Sequence, residues 1–143
     1  MNRSQMKGFT LIELVIVVAI VAILTLIAVP SYRSYLLRSH RVEASAALLA
    51  LSAAQEKFYL QNNTYTDKLD DAPPTGLGLQ AVTENGYYDI AIGSADAAGF
   101  DATATAKGGQ LDDTQCKTFT IDETGTKTAK NSSAAAVTDC WSR

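Results

Sequence analysis

Lys7-Gly8-Phe9-Thr10-Leu11-Ile12-Glu13-Leu14 opens an apolar run that continues to Val29, and the reading of the whole chain turns on it. From Phe9 to Val29 the only charged side chain is Glu13. A run of that length crosses a bilayer as one helix. Arg3 and Lys7 precede the run closely, whereas Glu13 lies inside it, one helical turn past Phe9. At the centre of a spanning helix an acid costs roughly 2.5 to 3.5 kcal/mol, which makes Glu13 a functional candidate by default. Cutting the chain between Gly8 and Phe9 would create an amine at the helix start, about 6 Å along the axis from Glu13 at 1.5 Å per residue. A packed neighbour shifted by one turn would set its own amine beside this carboxylate, and the positive end of the helix dipole favours an acid there as well. Two plainer readings compete. One is a signal anchor whose acid snorkels to the headgroups; the other is a conventional signal peptide cut after Ala22 or Ala28. Neither accounts for glycine, phenylalanine and glutamate at this spacing behind a basic leader.

Gly8-Phe9-Thr10-Leu11-Ile12-Glu13-Leu14, with its leader charge and the helix that follows, resembles the class III signal of type IV pilins. The resemblance implies cleavage after Gly8 by a prepilin peptidase, N-methylation of Phe9, and Glu13 as the acid that registers each subunit on its neighbour's N-terminus. It also implies an order of places: a single-pass precursor in the inner membrane of a Gram-negative bacterium, then an extracellular pilus. The implied partners are other pilin subunits, the peptidase, an inner-membrane assembly platform, and membrane lipid before assembly. Later pieces carry the same look: Phe58-Tyr59-Leu60-Gln61-Asn62-Asn63-Thr64-Tyr65, Gly86-Tyr87-Tyr88, Cys116 with Phe119-Thr120-Ile121-Asp122, Gly125 and Lys127, and Cys140-Trp141. These resemble the PilE-type pilins, in which two cysteines close an outward-facing C-terminal loop. The nearest rival is a pseudopilin of a type II secretion system, which generally lacks that closed loop. A rival of another class is a membrane-anchored domain that keeps its anchor uncut.

At 143 residues the chain suits one modest domain plus an anchor. The net charge of −3 becomes −5 by side chains once Arg3 and Lys7 leave with the leader. Between Leu14 and Val42, however, every charge is basic: Arg33, Arg38 and Arg41, with His40 beside them. Basic flanks on both sides of a spanning run leave its orientation open by loop charge alone. The pilin resemblance places the leader in the cytoplasm. With the domain exported, Cys116 and Cys140 read most simply as one disulfide. In the chain-entropy account such a loop is worth on the order of 3 to 3.5 kcal/mol.

Pro30 stands where the membrane run ends, so the helix is expected to bend there and continue. Residues 31–60 contain no glycine or proline, and they place Tyr35, Val42, Ala46, Leu49, Ala53 and Leu60 at spacings of three, four and seven. That stripe is expected to pack on the domain, leaving Arg38, Arg41, Glu56 and Lys57 on the opposite face. Gln61-Asn62-Asn63 offers a helix end. The stretch from Asn63 to Gln80, with Pro73-Pro74, reads as an irregular loop. Four strand signals follow: Gly86 to Ile92, Phe100 to Ala106, Lys117 to Asp122, and Lys127 to Ala129 after the turn Glu123-Thr124-Gly125-Thr126. The expected fold is α+β, a long N-terminal helix packed on a small antiparallel sheet. The expected divisions are 1–8 leader, 9–30 membrane and assembly helix, 31–62 amphipathic half of the same helix, and 63–143 globular head.

The sequence offers neither a nucleophile with a base nor a phosphate cradle, so no catalytic site, cofactor or metal is expected. Asp70-Asp71 and Asp112-Asp113 lack the spacing of a calcium loop and read as solvated turns, as does Gly108-Gly109. His40 reads as part of a solvated face or a subunit contact. Arg33, Arg38, His40 and Arg41 could meet phosphate, but subunits or anionic lipid are the better partners for them; nucleic acid is possible without being indicated. Tyr32 and Tyr35 fit an interfacial aromatic belt.

Overall fold

A computed structural model of the chain describes residues 9–141. Helix α1 runs over Leu11–Asn62 and continues through Pro30. Four strands follow it, β1 Tyr88–Ala95, β2 Phe100–Ala106, β3 Thr118–Asp122 and β4 Lys127–Lys130. They form one antiparallel sheet in the order β1-β2-β3-β4, a meander in which each strand pairs with the next. The fold class is therefore α+β, a long helix with an antiparallel sheet. The chain divides into two compact units, one ending at Tyr35 and the other beginning at Leu36.

In the first unit the helix is apolar all round from Leu14 to Val29. Its large side chains from Leu11 to Val29 are all at least half exposed. A helix of this kind needs lipid or other helices around it, and its length and composition suit a membrane crossing.

In the second unit α1 has a core stripe of Ala44, Leu48, Leu51 and Gln55, at spacings of four, three and four. It meets a sheet face of Tyr88, Ile90, Phe100, Ala102, Ala104, Phe119, Ile121 and Ala129. The alanines of β2 keep that face low, while Tyr88 and Phe119 pack edge to face at 5.7 Å. This corrects the expected stripe: Tyr35, Val42, Leu49 and Leu60 are 68, 53, 45 and 84% exposed. The helix carries two apolar faces, and periodicity alone does not say which one the sheet covers.

Asn63 ends the helix in the left-handed region, φ 52°, with its N–H on the Tyr59 carbonyl at 2.8 Å. The loop beyond it is held from inside. Gln55, fully buried, donates to the Thr66 carbonyl at 2.6 Å and accepts from the Thr66 N–H at 3.1 Å. Gly76 is fixed by close approach, since a Cβ there would stand 2.6 Å from the carbonyls of Lys68 and Asp71. Strand β1 starts two residues later than its signal and runs on to Ala95 through an irregularity between Ile92 and Ser94. Gly108-Gly109 opens a short 3-10 helix, Gly108–Asp112, and not a simple turn.

Candidate functional site

At the helix start Thr10 and Glu13 form a reciprocal cap. The Thr10 N–H and hydroxyl donate to Glu13 Oε2 at 2.9 and 2.6 Å, and the Glu13 N–H donates to Thr10 Oγ1 at 3.3 Å. This is the capping-box arrangement, whose signature is a threonine three residues before a glutamate. The pattern Thr10-Leu11-Ile12-Glu13 displays that signature, so sequence reasoning had the means to find it. Within one chain, then, the acid already has donors. Phe9 beside it is 89% exposed, while Gly8 lies outside the described residues.

The second unit gathers its polar chemistry where α1 meets the segment after β2. Arg41 donates from Nε to Asp113 Oδ2 at 2.7 Å and from Nη2 to Asp113 Oδ1 at 2.8 Å. Both partners are enclosed, with side chains 12 and 3% exposed. Asp113 Oδ1 also accepts the N–H groups of Gln115 and Cys116. Cys116 is joined to Cys140 across a Cα–Cα distance of 5.7 Å. The helix is thereby tied by an ion pair to the root of the disulfide-closed segment.

Gln110 is the hub of this region. Its side-chain amide nitrogen lies 3.0 Å from the Leu37 carbonyl, 2.9 Å from the Tyr88 hydroxyl and 3.2 Å from Asp113 Oδ2, and donates among them. Its oxygen must therefore accept, which makes His40 Nδ1, at 3.0 Å, the donor. The His40 ring stacks on Tyr87 with centroids 3.7 Å apart. Burial foremost, then the Asp113 charge, pushes the Tyr88 phenol well above the ordinary tyrosine range. Two expectations are corrected here. Arg41 and His40 leave the solvated face for internal contacts, and Asp113 is buried and not in a solvated turn. Gln110 was missed altogether, because an isolated glutamine carries no motif.

Arg38, Val42, Ala46, Leu49, Gln115 and Trp141 line a groove of about 610 Å³ beside the disulfide. Trp141 donates from its indole to the Thr128 carbonyl at 2.8 Å and packs edge-on to Phe119. Among the described residues no three His, Cys, Asp or Glu side chains gather as metal ligands.

Comparison with known proteins places this geometry. The prokaryotic N-terminal methylation motif matches residues 3–29, and the family described as "Type IV minor pilin ComP, DNA uptake sequence receptor" matches residues 30–120, more than half of the chain. The chain belongs to the type IV pilins. The pilin is 48% identical over 61 residues to the type IV major pilin protein PilA of Myxococcus xanthus, covering 43% of this chain and 28% of that one. It is 33% identical over 107 residues to the fimbrial protein EcpC of Eikenella corrodens, covering 75 and 67%. It is 36% identical over 90 residues to the wide pilus major component PilA4 of Thermus thermophilus, covering 63 and 67%. The match thus spans little more than a quarter of the Myxococcus protein. These relatives are structural pilus and fimbrial proteins, and they favour a pilus subunit over the pseudopilin reading. As a pilin, the chain is anchored in the inner membrane by its N-terminal helix and then enters an extracellular pilus with other pilin subunits.

Proposed function

We propose that this pilin is made as a precursor with leader 1–8, cut between Gly8 and Phe9 by a prepilin peptidase, and N-methylated on Phe9. An inner-membrane platform then draws helix 9–30 out of lipid and into the filament, while the amphipathic half 31–62 and the head 63–143 form its body. Glu13 sets the register against the amine of a neighbouring Phe9, and the work of the subunit is mechanical. The observation that carries this reading is the methylation motif at residues 3–29, together with a helix from Leu11 whose apolar side chains up to Val29 lie uncovered in the single chain. The test is the intact mass of protein sheared from cells. A species beginning at Phe9, one methyl heavier and with the two cysteines oxidised, supports the reading. A chain that retains Met1 to Gly8 in cells with a working peptidase overturns it.

The match of residues 30–120 to a family described as a DNA uptake sequence receptor favours DNA uptake among the services a pilus renders. From Leu36 onward the pilin has nine Lys and Arg against fourteen Asp and Glu, so contact with phosphates would rest on a local cluster and not on net charge. The two exposed lysines of β4, Lys127 and Lys130, are the candidates. Binding of the full chain to duplex DNA, weakening steeply with salt and more weakly held by K127Q/K130Q, is the expected result; equal binding by that variant removes these lysines from the reading.

A further inference from the structure

Asn85-Gly86 is the sequence's one Asn-Gly step, and it lies in the turn just before β1. Such a step is chemically labile. The Gly86 backbone nitrogen, unshielded by any side chain, attacks the Asn85 Cγ, forming an N–C bond while the C–N bond to the side-chain amide nitrogen breaks. That nitrogen leaves as ammonia with the Gly86 proton, and water then opens the five-membered imide at either carbonyl, giving aspartate or isoaspartate. Nothing is oxidised or reduced.

In this fold both reacting groups are engaged. The Asn85 N–H and side-chain amide donate to the two oxygens of Glu43, at 2.9 and 3.0 Å. The attacking Gly86 N–H donates to the Thr83 carbonyl at 2.8 Å. Gly86 sits at φ 74°, with open space where a Cβ would stand. We propose that Asn85 is a deamidation site which the fold holds closed through Glu43, and that its conversion turns the contact between α1 and this turn from attraction into repulsion. The new carboxylate would occupy the place from which an amide now donates to Glu43. Burial works against the Glu43 charge, but hydrogen bonds from Thr83 and Asn85 outweigh it and hold its carboxyl below the ordinary range, so the opposing acid stays charged. Isoaspartate would in addition lengthen the backbone inside the turn. Tyr87, two residues on, would then lose its fixed place on His40.

The experiment follows the full chain in detergent micelles at mildly alkaline pH, reading intact mass and mapping the converted site by peptides. In denaturant, Asn85 is expected to convert first among the five asparagines of the sequence. In the native chain it is expected to convert several-fold more slowly, with E43Q between the two. Equal rates in the native and denatured chain overturn the proposal, as does an E43Q variant of unchanged circular dichroism that converts at the native rate. Because E43Q also removes a link from α1, the product side is tested separately. N85D is expected to melt below N85Q, and E43Q/N85D to recover part of the loss; an N85D that melts with N85Q overturns the repulsion.

Discussion

Arg41 and Asp113, 72 residues apart in sequence, meet as a bidentate ion pair that fastens α1 to the root of the disulfide-closed segment. Both side chains are largely enclosed, Asp113 the more so, so removing one strands the other. Arg41→Ala or Asp113→Ala is expected to cost about 3 to 5 kcal/mol. Arg41→Met with Asp113→Leu is expected to cost less than either single change, because no buried charge is left alone. Denaturant melts of the four chains check the order; a double variant worse than both singles would contradict it.

The two apolar faces of α1 separate in the same assay. Leu48→Ala opens the core and is expected to cost about 2 to 5 kcal/mol. Leu49→Ala, on a half-exposed residue, is expected to stay within about 0.5 kcal/mol. Reduced recovery of sheared filaments from Leu49→Ala, at unchanged stability, would assign that face to subunit contact.

Thr10 and Glu13 make distinct contributions at the helix start. Thr10→Val removes the hydroxyl but keeps the backbone donor, at a cost of about 1 kcal/mol in capping. Glu13→Ala removes the charge that a neighbouring amine would meet. Both variants are expected to insert in the membrane, with sheared filaments modestly reduced for the first and strongly for the second. Normal filament yield from Glu13→Ala would end its registry role.

Opening the Cys116–Cys140 bridge is expected to loosen the segment that carries Trp141. Cys116→Ser should lose on the order of 3 kcal/mol. Protease resistance that is the same in this variant and in the native chain, with and without reductant, would count against that contribution.

The pH dependence has a defined sign at both ends. The Tyr88 phenol is raised in the fold, so its contribution is complete below the ordinary tyrosine range near pH 10 and is lost as pH climbs beyond it toward the folded value. Tyr88→Phe is expected to lose about 1 kcal/mol at neutral pH with the Gln110 hydrogen bond, yet to show a flatter alkaline limb. At the acid end the Asp122 carboxyl is held low, first by the Thr124 hydroxyl. Its contribution is present above the ordinary carboxylate range and disappears as pH falls below it. Chemical melts across pH read both limbs, and an alkaline limb unchanged in Tyr88→Phe would refute the first.

The N-terminal device is legible because it is contiguous. The basic leader, Gly8, Phe9, Thr10 and Glu13 stand at fixed short spacings in sequence, and hydropathy marks the helix that follows without reference to anything else. Strands β2, β3 and β4 were legible for a related reason: alternation and turn residues are local properties, and the sheet is a meander whose neighbours in space are neighbours in sequence. The disulfide pairing could be read because only two cysteines exist. What the tertiary structure alone decided is which face of α1 is inside. Val42 with Leu49 and Leu48 with Leu51 are equally apolar at helical spacing, and only the low alanine face of β2 selects the second set. The same docking brings Arg41 to Asp113 and His40 to Gln110 across some 70 residues. A charge or amide in sequence carries no mark of the partner that will enclose it, because its burial depends on how separate elements pack.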